Sequence, residues 1–183
     1  MSLTAFEGIG GSGKTTIIKR ILDKEDFDYV YEDRTSPPPD ILDDSIDEFY
    51  IQRNIKTINS VVASKNTILD RSYIATIAVM YSQGMLANQS INVYETIERV
   101  QTQLTHVLDN LVICLCDVSK AVERRTKRDN GKSHPLWTNK DFLYRVNEFY
   151  YTWGNAFSEK TILVDTNNLV SETKIDYIIG EIQ

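Results

Sequence analysis

Residues Gly8 to Thr15 read GIGGSGKT, and the rest of the chain is best read outward from them. Four of the eight glycines fall at positions 8, 10, 11 and 13. The apolar run Leu3 to Phe6 stands before this stretch. Ile17, Ile18, Ile21 and Leu22 follow it at helical spacing. The octet satisfies G-x-x-x-x-G-K-[ST], the loop that binds phosphate between a strand and a helix. A polyphosphate is wrapped by inward-pointing backbone N–H groups, which needs left-handed backbone angles and no obstructing side chains. A helix starting near Lys14 adds the positive end of its dipole. Gly8, Ile9, Gly10, Gly11, Ser12, Gly13, Lys14, Thr15 and Thr16 are therefore the expected nucleotide-binding residues. Lys14 can reach the β- and γ-phosphates of a bound nucleotide, and the Thr15 hydroxyl can take a position on Mg²⁺.

The segments on either side alternate in period. Strands are expected at Leu3 to Glu7, Asp28 to Glu32, Thr67 to Asp70, Leu111 to Asp117 and Thr161 to Asp165. Helical stripes cover Lys14 to Leu22, Asp44 to Ala63, Tyr73 to Ser82, Val93 to Leu108, Ser119 to Arg128, Asn139 to Asn155 and Glu172 to Ile182. In the second of these the apolar residues are Ile51, Ile55, Ile58 and Val62. Short apolar strands separated by helices imply an α/β fold of three layers, with a five-stranded parallel sheet covered on both faces. Such sheets bind ligands beyond the carboxyl ends of their strands, where Glu7, Glu32, Asp70, Asp117 and Asp165 fall. The proline cluster Thr35 to Asp40 reads as a rigid surface loop, so residues 1–183 form one domain.

Bulk properties narrow the partners. The chain has 183 residues, 42% of them hydrophobic and 25% charged, with a formal net charge of −6. That balance argues against a long nucleic acid as partner. No apolar stretch reaches the length of a membrane span, and the N-terminus lacks signal-peptide zones, so a cytoplasmic protein is expected. The two cysteines, Cys114 and Cys116, lie two apart in an apolar run. They read as free core thiols on one face of a strand.

Asp70 ends the third strand and Arg71 follows at once. The carboxylate could hold Mg²⁺ and the arginine could enter the same cleft. FEGIGGSGKTT followed by Asp70-Arg71-Ser72 resembles the thymidylate kinase and deoxynucleoside kinase superfamily of P-loop nucleotide kinases. Thr76, Ala78, Tyr81 and Gln83 approximate that superfamily's S…A-Y-Q run, with shifted spacing. EFYIQRNIKTI resembles the thymidylate kinase helix whose arginine holds the acceptor's phosphate, which maps onto Arg53. LVICLCDVSKAVERRTKR resembles the strand and arginine helix leading into the lid, with Arg124, Arg125 and Arg128 at helical spacing and the lid at about 125–138. Arg125 and Arg128 lie one turn apart and can share a face.

What the resemblance implies is ATP-dependent phosphoryl transfer to a small acceptor. A (deoxy)nucleoside monophosphate such as dTMP ranks first, and a deoxynucleoside 5′-hydroxyl is the alternative. Lys14, Arg71, Arg125, Arg128 and Glu32 are the expected catalytic residues. Glu32, Arg53, Ser72 and Tyr81 would bind the acceptor, and Thr15 and Asp70 would hold the metal. Phe49, Tyr50 and Tyr73 are further aromatics near the cleft. Members of the superfamily commonly pair as homodimers, for which the helices around Ile51 and Val100 could supply a face. Departures from the pattern concern the acceptor: the E-P pair after the second strand is absent here, where Glu32 is followed by Asp33-Arg34-Thr35. A GTPase switch would read Thr126 to Asp129 as a guanine motif, but that stretch ends a charged helix and no D-x-x-G follows the third strand. A non-catalytic nucleotide-binding module is a third reading, opposed by the presence of Lys14, Thr15, Asp70 and the lid arginines.

Overall fold

The computed structural model describes residues 2–33, 35–42, 45–61, 65–89 and 91–183. Arg34, Asp44, Val62 and Ala63, which entered the sequence reading, lie outside them.

Five strands form one parallel sheet in the order β2-β3-β1-β4-β5. They are β1 (Leu3–Glu7), β2 (Asp28–Val30), β3 (Thr67–Asp70), β4 (Asn110–Leu115) and β5 (Lys160–Asp165). The helices are α1 (Lys14–Leu22), α2 (Ile46–Asn59), α3 (Tyr73–Leu86), α4 (Val93–Gln101), α5 (Val118–Arg128), α6 (Lys140–Trp153) and α7 (Glu172–Ile182). Pro135–Thr138 makes one short 3₁₀ turn between α5 and α6.

Alternation along the strands builds two cores. Phe6, Ile68, Val112, Cys114, Ile162 and Val164 face one way and meet Ile17, Ile18 and Ile21 of α1 and Ile175, Ile178 and Ile182 of α7. Leu3, Ala5, Leu69, Leu111 and Ile113 face the other way, against α2, α3, α4 and α6. The expected three-layer α/β architecture is present. Packing rather than propensity holds the helices: α1 has nine residues, too few to persist alone in water. Each fully buried isoleucine contributes about 1.5–3 kcal/mol.

The same alternation aims the polar strand ends. Glu7 continues the Leu3–Ala5 row and so faces α3 and α6. Asp70 continues the row of Ile68 and faces α1.

Several elements end elsewhere than periodicity indicates. β2 stops at Val30 because β3, its one partner among the described residues, is four residues long, leaving Tyr31 and Glu32 beyond the sheet. α4 stops at Gln101, and the chain then turns under Asn59, whose Oδ1 accepts from the Thr105 N–H and whose Nδ2 donates to the Gln103 carbonyl. Cys114 and Cys116 do not share a face. β4 ends at Leu115, the alternation ends with it, and Cys116 joins the opposite core. Ile51 and Val100 are both buried in the chain's own core, so neither is available to a second copy.

Candidate active site

Residues 8–13 join β1 to α1, and their glycines take angles other residues resist. Gly11 has φ +91°, and a Cβ there would stand 2.2 Å from the Ala121 carbonyl oxygen. Gly13 has φ +92° and precedes α1 without any side-chain cap, whereas α3, α4, α5, α6 and α7 each begin at a side chain accepting from the first turn. No side chain caps the start of α1, an end whose N–H groups and dipole suit an anion.

Lys14 is buried and folds back over this loop. Its Nζ donates to the Gly8 carbonyl at 2.8 Å, the Ile9 carbonyl at 3.1 Å and the Ser12 hydroxyl at 3.4 Å. Burial, aided by the nearby Arg71 guanidinium, pulls its pKa down to about 8. An anion in the loop would relieve both effects.

Asp70 faces α1, as its strand position requires. Its Oδ2 accepts from the Thr15 hydroxyl at 3.1 Å and from the Tyr29 hydroxyl at 3.0 Å. Hydroxyl and carboxylate oxygens are the hard donors that Mg²⁺ prefers. Among the described residues no group of three or more His, Cys, Asp or Glu side chains could hold a metal alone, so an ion here would rely on phosphate and water for its other positions.

Arg71 takes φ +76°, uncommon for a residue with a side chain. Its Nε lies 3.0 Å from Glu32 Oε1. Glu7, fully buried, accepts from the Ser72 N–H at 2.7 Å, the Ser72 hydroxyl at 2.9 Å and the Tyr150 hydroxyl at 3.0 Å. Burial raises its pKa, against the opposing pull of Arg71 and Lys14. Ser72 also caps α3 by accepting from the Ile74 N–H. With its hydroxyl committed inward and the residue buried, Ser72 does not face an acceptor as expected.

The arginines of α5 separate by face. Arg125 reaches the loop: a Cβ on Gly10 would meet its Nη1 at 2.2 Å. Asp129 lies 3.3 Å from its Nε, Ser133 accepts from that Nε at 3.3 Å, and the Trp137 ring lies 5.4 Å from its guanidinium carbon. Arg128 is mostly exposed and donates through Nε to Asp129 Oδ1 at 2.7 Å. It is not brought to the loop, although one turn from Arg125. Asp129, the last residue of the supposed guanine motif, is engaged with Arg125, Arg128 and Ser133. Arg124 points to the other side, donating to the carbonyls of Thr166 at 2.9 Å and Asn167 at 3.0 Å. It lines a cleft of about 280 Å³ with Gly13, Thr16, Arg20, Thr166 and Val170. The segment 166–170 carries no motif, which is why sequence reading missed this wall. The repeated arginines of α5 were its only signal. A larger hollow of about 520 Å³ lies at the turn from α1 to β2, lined by residues 22–27 with Tyr29 and Tyr31, and includes none of the loop glycines, Lys14 or the α5 arginines.

Two further residues expected at the acceptor, Arg53 and Tyr81, have partners within the chain. Arg53 donates to the Thr35 carbonyl at 2.8 Å, lies over the Tyr50 ring and has its Nε 3.9 Å from Asp33. Tyr81 packs on Phe149 of α6, at 5.5 Å between ring centres, and Tyr73 is buried against Phe157. Both tyrosines serve the core, because the apolar face of α3 turns toward α6. Among the described residues no helix is long and apolar enough to cross a membrane.

No protein-family model and no curated protein matches the chain. Solved structures do. Deoxyadenosine kinase from M. mycoides with bound dATP is 20% identical and superposes with a TM-score of 0.69, covering 98% of each chain. The same enzyme with the products dCMP and a flexible dCDP is 21% identical with a TM-score of 0.73, over 98% of this chain and 97% of that one. Its dCTP complex is 20% identical with a TM-score of 0.66, again over 98% and 97%. The chain therefore has the P-loop kinase fold, as the resemblance read from FEGIGGSGKTT and Asp70-Arg71-Ser72 implies.

Proposed function

We propose that this protein transfers the γ-phosphoryl group of ATP to the 5′-hydroxyl of a deoxynucleoside. The observation that carries the reading is the Arg71–Glu32 pair, which sets a carboxylate and a guanidinium side by side next to the phosphate loop. A hydroxyl acceptor must lose a proton, and Glu32 is the group to take it. A phosphate acceptor needs no such base, so we rank the hydroxyl acceptor first, where the sequence resemblance ranks the monophosphate first. Support comes also from the fold, shared with an enzyme whose solved complexes hold deoxynucleotides.

In this reading the triphosphate lies along residues 8–15 and the donor's base enters the cleft beside Arg124. Arg71, Lys14 and Arg125 gather three positive charges where charge develops on the transferring group, and phosphoryl transfer is accelerated chiefly by such positioning. Mg²⁺, held by Thr15 and Asp70, supplies further neutralisation of the β- and γ-phosphates when bound. Trp137 and the segment 129–139 close over Arg125 and exclude water, which would otherwise consume ATP.

A monophosphate acceptor is the second reading, favoured by one observation. The Nε of Arg53 is buried without a hydrogen-bond partner, a donor that an acceptor phosphate could satisfy. The deciding experiment is ADP release from Mg-ATP against a panel of deoxynucleosides and their monophosphates. Turnover with a free deoxynucleoside is expected. Turnover confined to a monophosphate would replace the first reading by the second.

A further inference from the structure

Glu7 closes β1 with its carboxylate buried on the side of α3 and α6. A buried carboxylate costs stability unless it is paired and hydrogen-bonded, and an apolar residue would serve the core better. The backbone of Glu7 pairs with Ile113 of β4 while the pairing of β1 with β3 ends at Phe6 and Asp70, so on the β3 side the Glu7 side chain lies next to the turn that follows β3. What Glu7 does hold is the next turn. Arg71 sits there at φ +76°, a conformation that persists only where the surroundings over-determine it. Two bonds bracket the residue. Its own N–H donates to the Phe6 carbonyl at 3.1 Å, and the following N–H, of Ser72, donates to Glu7 Oε1 at 2.7 Å. The second carboxylate oxygen is taken by the Tyr150 hydroxyl, from the helix that runs out of the lid. From this turn the Arg71 side chain reaches Glu32.

We propose that Glu7, locked by Tyr150, is a positioning residue that holds the Arg71–Ser72 turn so that the Arg71 guanidinium stands between Glu32 and the phosphate loop. The proposal rests on the reading of Arg71 as the group that neutralises the transferring phosphoryl. A merely structural Glu7 would lower stability when replaced and leave the orientation of Arg71 unchanged.

The test follows Arg71 directly. Its Nε–H resonance is assigned by its disappearance in Arg71→Lys. Glu7→Gln keeps the shape of the side chain and removes its charge. In that variant the Arg71 signal should shift and its proton should exchange with water at least about tenfold faster, while kcat falls at least about tenfold and the KM for ATP stays within about twofold. Adding Glu7→Gln to Arg71→Lys should cost no further activity, because both changes act through one group. Tyr150→Phe removes a single oxygen and should produce the same changes to a smaller degree. It carries the test if Glu7→Gln does not fold. An unchanged Arg71 signal in either folded variant overturns the proposal, as does a multiplicative loss in the double variant. If the protein phosphorylates no nucleoside at all, the resonance still decides the role of Glu7, and only the kinase reading falls.

Discussion

The Arg71 guanidinium and the Glu32 carboxylate lie 3.0 Å apart, joining the turn after β3 to the chain beyond β2. Strands β2 and β3 are neighbours in the sheet, so their carboxyl ends deliver the two side chains to one spot. We predict that Glu32→Gln lowers kcat for a deoxynucleoside by about 10²–10⁴ with little change in ATP affinity. Steady-state kinetics check this, and a kcat within about threefold of wild type would remove Glu32 from the base role.

Lys14 spends all its donors on its own loop in the structure, ready to exchange carbonyls for phosphate oxygens. Lys14→Ala is predicted to abolish transfer, a loss of at least about 10²-fold, because one preorganised positive group is missing from the transition state. The variant should still unfold cooperatively in a thermal melt followed by circular dichroism. Full activity in the folded variant would contradict the assignment of the loop.

Gly10 and Gly11 are adjacent but should respond differently to an added methyl group. At Gly10 the obstacle is the tip of Arg125, a flexible side chain that can withdraw. At Gly11 it is the backbone of Ala121, met at a positive φ. Gly10→Ala is therefore predicted to reduce kcat with a stability change under about 1 kcal/mol, and Gly11→Ala to cost about 1–3 kcal/mol. Urea denaturation of both variants beside their kinetics separates the two effects.

Arg125 and Arg128 give a second contrast. Arg125→Ala should lower kcat by about 10²-fold or more. Arg128→Ala should change kcat less than about threefold, since its partner is Asp129 and its side chain is mostly exposed. Equal losses in both variants would mean that the end of α5 rearranges to use both arginines.

Burial pushes the Cys114 thiol up to about 12, so its thiolate fraction at pH 8 is about 10⁻⁴. Cys116 is also buried and raised, by the same cause. Native protein treated with a disulfide reagent at pH 8 should release far less than one equivalent per chain over minutes, and two equivalents after denaturation. Rapid labelling of the native protein would show that the end of β4 opens.

Local patterns in the sequence determined much of this protein. The glycine spacing of residues 8–13 specified a loop around phosphate, since only glycine tolerates those angles and approaches. β1, α1 and β3 lie where their residues indicate, because each has a period read within a few positions. Lys14, Thr15, Asp70 and Arg71 follow from that loop and from the next strand end. Tertiary structure alone decided which of the recurring arginines faces the site. Arg124, Arg125 and Arg128 project at different angles from one helix, and the choice between them rests on Gly10, Trp137 and the carbonyls of residues 166 and 167. It also decided that Ser72 and Tyr81 turn inward and that Glu7 meets Ser72 and Tyr150. The partners of Glu7 come from 65 and 143 residues away, and a buried carboxylate is made tolerable by groups that no local window contains.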